Sequence, residues 1–113
     1  DIARDDYNNQ WVALQDGGLV RISPKMDYKH LTIDNGLPTN SVSKIKVRNG
    51  FIWVAALDYV FKLNLDGKLI KEYFIGDNIA AMDLEIMNDI IYIATYESGL
   101  KIINEDSISN FKI

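Results

Sequence analysis

The chain has 113 residues, of which 48% are hydrophobic and 25% charged, a composition that describes a globular body and excludes a disordered tail. Its net charge of −4 has the wrong sign for a nucleic-acid binder, which needs clustered Lys and Arg to displace counterions, so no nucleic acid is expected as a partner. The absence of cysteine excludes disulfides, thiolate metal sites and a thiol nucleophile, and it fits a reducing cytosol as well as a periplasm.

Two prolines, seven glycines and no low-complexity tract leave no sign of an internal linker. The longest purely apolar run, Ile90-Ile91-Tyr92-Ile93-Ala94, is far short of the roughly 20 residues that cross a bilayer as a helix, and no membrane contact by this segment is expected. The chain starts at Asp1 without a charged region leading into an apolar one, the pattern of a matured or excised piece rather than of a whole translation product.

In chain order, the first element to recur is Trp11-Val12-Ala13, which returns as Trp53-Val54-Ala55 and as Tyr92-Ile93-Ala94, at spacings of 42 and 39 residues. Such a period points to an array or a propeller. Asn8-Asn9, Asn49-Gly50 and Asn88-Asp89 precede the three aromatics, and these residues tolerate the positive φ of a tight hairpin. Gly18-Leu19-Val20-Arg21-Ile22 then matches Gly99-Leu100-Lys101-Ile102-Ile103, with Val60-Phe61-Lys62-Leu63 in the same place in the middle copy. Ile45, Val47 and Ile52 have counterparts in Leu84, Ile86 and Ile91.

The middle copy resolves into four short strands, near 42–47, 51–55, 60–63 and 68–74, with Asp66-Gly67 as a further hairpin signal. No stretch keeps a helical apolar period over three turns, so helices should be few or absent. The second strand is apolar on both faces, Ile52 and Val54 on one and Trp53 and Ala55 on the other, and must be covered on both sides. The fold expected is all-β, a β-propeller fragment of about three four-stranded antiparallel blades. The blade-like repeats are placed at 1–40, with a truncated first strand, 41–78 and 79–113.

At Gly36-Leu37-Pro38-Thr39-Asn40-Ser41-Val42, and at the spacing of Ile2, Asp5, Asn8 and Trp11 followed by Gly18-Leu19-Val20-Arg21, the chain resembles the two-component regulator propeller repeat. The third copy lacks Gly-Leu-Pro, and Arg48 and Glu85 are read as replacing the acidic Asp5. The resemblance implies a periplasmic ligand sensor, joined through a membrane helix to a histidine kinase and responsive to polysaccharide breakdown products.

His30 is the only histidine, so no imidazole triad or multi-histidine metal cluster can be built within the chain, and it is assigned to an outer strand without chemistry. Asp5-Asp6, Asp34 and Asp66 occupy turn positions without the dense ligand spacing of a calcium loop. No catalytic residue, metal or cofactor is expected. Trp11, Trp53 and Tyr92 are read as packing between blades. Candidate ligand-binding residues lie instead on loops expected to gather on one face: Asp16, beside Gln15; Asp58 and Tyr59; Asp77 and Asn78; Tyr96 and Glu97. A tyrosine ring beside carboxylates suits a sugar, the ring stacking and the acids accepting from hydroxyls. The function expected is a ligand-sensing propeller segment with an oligosaccharide as ligand and no enzymatic activity; a protein-interaction scaffold on the same fold is the alternative. Self-association, or packing against further blades, is expected to cover the apolar outer faces.

Overall fold

The computed structural model describes residues 1–111. Its twelve strands form three antiparallel sheets of four, each a meander with neighbours in chain order. The first contains β1 (Ile2–Arg4), β2 (Gln10–Leu14), β3 (Gly18–Ile22) and β4 (Tyr28–Leu31). The second contains β5 (Val42–Arg48), β6 (Phe51–Ala56), β7 (Tyr59–Leu63) and β8 (Leu69–Phe74), and the third β9 (Ala80–Met87), β10 (Ile90–Tyr96), β11 (Leu100–Asn104) and β12 (Ser107–Phe111). One 3-10 turn, Ile33–Asn35, is the only helical element among the described residues. The chain is therefore all-β, three successive blades of a β-propeller.

The hairpin chemistry explains the local structure. Asn49-Gly50 and Asn88-Asp89 form two-residue connections with both residues at positive φ, the turn whose twist suits a hairpin. Asn8 also has positive φ, but it sits in a wider loop, because Arg4 pairs with Gln10 and residues 5 to 9 lie between them. The innermost strands of the second and third sheets share an irregularity: the register slips at Ser43, between Val42 and Lys44, and again opposite Ala94 and Thr95, where Met82 is skipped. The repeat thus extends to a β-bulge, which bends each inner strand in the same place.

Alternation along the strands decides what packs where. Trp11, Leu19 and Leu31 of the first sheet meet Ile45, Ile52, Val54, Phe61 and Leu63 of the second in one buried cluster. The opposite face of the second sheet, with Trp53, Ala55 and Val60, meets Leu84, Ile91, Ile93 and Ile103 of the third. Ile52 to Ala56 are consequently buried without a break, as a strand apolar on both faces requires. By the same alternation Tyr92 and Ala94 look away from the second sheet. Trp11 and Trp53 pack between blades, whereas Tyr92 stands on the open face of the third sheet, half-buried. The outer face of the first sheet exposes Ile2 and Tyr28, and that of the third exposes Met87 and Phe111.

One glycine is dictated by closeness. Gly18 has φ +76°, and a Cβ built there would lie 2.2 Å from the carbonyl oxygen of Leu31. Only a residue without a side chain lets the crossover after β4 approach the start of β3.

Candidate ligand-binding site

Antiparallel connectivity gathers the β2–β3, β6–β7 and β10–β11 turns and the two crossovers between sheets at one end, which we call the upper end. The β1–β2, β5–β6 and β9–β10 hairpins gather at the other. All seven candidate residues lie at or beside upper-end connections.

Hydrogen bonds join these connections into a strip across the three blades. Asp16, at φ 56° in the β2–β3 turn, accepts from Ser41 Oγ at 2.7 Å, and Asn40 O accepts from Gly18 N at 2.9 Å. The same Ser41 offers its carbonyl to Leu57 N at 2.9 Å, and Asp58 N donates to Ile79 O at 2.9 Å. Leu57 pairs with Ala80, and Ala80 is paired in turn with Tyr96. Asp16, Asp58 and Tyr96 thereby stand on one hydrogen-bonded frame, the neighbouring residues being carried on it.

The candidates differ in what they present. Asp58, again at positive φ, accepts from Ile75 N through its carbonyl, and its carboxylate Oδ1 is enclosed without a hydrogen-bond partner among the described residues. Tyr59 is half-buried, edge-on to Phe74 with ring centroids 5.5 Å apart, and leans on the core between the first two sheets. Asp77 and Asn78 are exposed in the β8–β9 crossover. Tyr96 is 65% exposed beside exposed Glu97, in a turn held by Thr95 Oγ1, which donates to Gly99 O at 2.6 Å and accepts from Ser98 N at 3.1 Å. An open ring flanked by acceptors can stack on an apolar face while taking hydrogen bonds from hydroxyls. His30 Nε2 lies 2.7 Å from Gly17 O on the outermost strand of the first sheet, which occupies its ring in holding the β2–β3 turn.

At the lower end Asp5 does more than turn the chain. It is 3% exposed and accepts from Tyr7 N at 2.9 Å, Asn9 N at 3.0 Å, Asn9 Nδ2 at 3.0 Å and the buried Trp11 Nε1 at 2.8 Å. Burial pushes its carboxyl up, but the hydrogen bonds from Trp11, Asn9 and Tyr7 together outweigh this and hold it below the ordinary 3.8. In register, Arg48, opposite Phe51, takes the place of Asp5 in the second repeat. In the third, Met87, opposite Ile90, takes it, and not Glu85, which stands opposite Tyr92. Glu85 instead pairs with Arg48 and Lys46 across the sheets, and the Arg48 hydrogen bond is the main cause that lowers its carboxyl.

A cavity of about 280 Å³ opens at this end between the second and third sheets, lined among others by Arg48, Phe51, Trp53, Lys62, Tyr73 and Ile103. Neither it nor a second cavity of about 230 Å³ beside Tyr92, Ala94 and Leu100 includes an upper-end candidate. The signal that could have found it was the replacement of Asp5 by Arg48, which removes an acceptor next to Trp53.

No known family profile matches the chain, and no curated protein matches it. Among solved structures, the extracellular domain of a B. thetaiotaomicron protein described as a hybrid two-component system superposes with a TM-score of 0.82 at 21% identity, over 98% of this chain and 18% of that one. The extracellular domain of another B. thetaiotaomicron protein, described as a one-component system, gives 0.80 at 22% identity, over 98% of this chain and 15% of that one. A catalytically inactive virginiamycin B lyase from Staphylococcus aureus with quinupristin gives 0.79 at 20% identity, over 99% and 40%. The chain spans less than a fifth of the length of those two extracellular domains. At these identities the likeness shows a shared fold, common to the two extracellular domains and to the lyase.

Proposed function

We propose that the chain is part of the ligand-sensing propeller of a periplasmic two-component sensor, a binding module rather than an enzyme, with an oligosaccharide held at the upper end by Asp16, Asp58, Tyr59, Asp77, Asn78, Tyr96 and Glu97. The observation that carries this reading is the strip that ties the upper-end connections of three blades into one frame. A rigid frame bearing exposed loop residues is the arrangement on which binding surfaces are commonly built. The exposed ring of Tyr96 supplies a stacking surface, and the exposed carboxylates of Glu97 and Asp77 supply acceptors for ligand hydroxyls. Further blades are proposed to cover the open faces around Ile2 and Tyr28 and around Met87 and Phe111.

The mechanism is differential affinity: a ligand that prefers one arrangement of the sensor biases the attached output by that difference and no more. A thermal-shift screen of the full-length protein against acidic and neutral oligosaccharides tests the reading, because a ligand selective for the native state raises apparent stability by mass action. A dose-dependent rise with one sugar class supports it. A flat response to the whole panel, or chemical turnover of a bound compound, contradicts it.

A further inference from the structure

The two inter-blade junctions can be compared residue by residue at the lower end. At the first, Trp11 Nε1 donates to Asp5, and Arg21, paired opposite Trp11, donates to Leu65 O at 2.7 Å with its guanidinium 6.0 Å from the indole centroid. Both donors are satisfied, Trp11 by the Asp5 carboxylate that the loop of residues 5 to 9 carries and Arg21 by the Leu65 carbonyl. At the second junction the partner of Trp53 is Lys62. Its ammonium sits 4.3 Å from the Phe51 ring centroid and 5.1 Å from that of Trp53; its charge acts at longer range on the Asp106 carboxylate, but it has no hydrogen bond or ion pair within 4 Å among the described residues. The indole N–H of Trp53, a residue nine-tenths buried, likewise has no acceptor among them. The two-residue turn at Asn49-Gly50 is too short to cover these groups, and Arg48 stands where an anion stands in the first repeat.

What remains is the cavity of about 280 Å³, large enough to hold several waters or a small ring. Phe51, Trp53 and Tyr73 line the side of the second sheet, Ile86, Ile91 and Ile103 that of the third. The nearby carboxylate of Asp106 is already taken by Tyr73 Oη at 2.7 Å and Lys71 Nζ at 3.3 Å. Asp89 and Glu105 stand among the lining residues as further acceptors. Two donors with no protein acceptor among the described residues, set on aromatic walls opposite an apolar wall and beside the carboxylates of Asp89 and Glu105, describe the complement of a flat ring with a carboxylate and a hydroxyl.

We propose that this cavity binds a small hydroxylated ring carboxylate, whose carboxylate accepts from Lys62 and Trp53 as Asp5 does from Trp11 in the first junction, while the ring lies between the aromatic and isoleucine walls. This site is separate from the upper-end loops and stands or falls without them. A charge-assisted hydrogen bond in a partly desolvated cavity is strong enough to discriminate an acid from its amide.

The test uses the full chain labelled with fluorotryptophan, the Trp11 and Trp53 resonances being assigned by single Trp→Phe variants, and follows ¹⁹F spectra during titration with 4-hydroxybenzoate and with the neutral 4-hydroxybenzamide. The Trp53 resonance should move saturably with the acid and the Trp11 resonance should not. The amide should bind at least about tenfold more weakly, and Lys62→Met, which keeps the packing on Phe51 and Trp53, should weaken the acid by a similar factor. Equal binding of acid and amide, an unaltered titration in Lys62→Met, or a stationary Trp53 resonance at about 10 mM acid, where even a millimolar site is mostly filled, overturns the proposal.

Discussion

Replacing Asp5 with alanine removes one carboxylate and strands several donors at once. Trp11 is fully buried, so its indole N–H cannot turn to water, and an orphaned buried donor costs about 1–3 kcal/mol. The amides of Tyr7 and Asn9 lie in a loop where Tyr7 is 70% exposed; water replaces the lost acceptor there and the net loss is about 1 kcal/mol. The expected destabilisation is about 3 kcal/mol, and with an unfolding entropy near 2.1 cal/mol/K per residue the melting temperature should fall by about 12 °C. Urea unfolding followed by tryptophan fluorescence, with thermal melts by circular dichroism, measures both. The carboxyl of Asp5 is held low in the folded state, so its contribution is present above the unfolded pKa and is lost as pH falls through the folded value. The gap between wild type and Asp5→Ala should therefore be full near neutrality and shrink below about pH 3.8. A variant within about 0.5 kcal/mol of wild type at pH 7 would refute the claim that this carboxylate anchors the first blade.

Three further outcomes are expected. Gly18→Ala should destabilise by more than about 1 kcal/mol in urea unfolding, because the new Cβ meets the Leu31 carbonyl at a positive φ. Burial, then the hydrogen bond and charge of Asp106, push the Tyr73 hydroxyl up to about 12; a raised folded pKa gives stability that is present below pH 10 and lost as pH rises toward 12. Stability measured across that window should decline, and Tyr73→Phe should decline less. Tyr96→Ala, at an exposed position, should leave stability within about 0.5 kcal/mol and abolish any ligand-dependent thermal shift.

Local periodicity made the blades legible. The strand at Phe51–Ala56 announces burial on both sides by having no polar residue, and the paired Asn-Gly and Asn-Asp turns announce hairpins because those residues accept positive φ. The grouping of Asp16, Asp58 and Tyr96 at one end followed from antiparallel connectivity alone. Ser41 could not be read in the same way, since it joins two connections through atoms 25 and 16 residues from its partners. The wider loop at Asp5 was hidden because its turn residues look like those of the shorter hairpins, and the difference emerges only when Arg4 is seen opposite Gln10. The cavity beside Trp53 was least legible: it depends on how two sheets abut, and on the absence of a loop that the first repeat happens to have.

The central claim is that the upper end of this propeller segment receives the ligand. Hydrogen–deuterium exchange on the full-length protein, with and without an oligosaccharide that raises its melting temperature, tests this most directly. The account predicts new protection at residues 15–17, 57–59, 76–79 and 95–98, with the hairpins at 49–50 and 88–89 unchanged. Protection confined to the lower-end hairpins, or absent from all three blades while the ligand is bound, would contradict it.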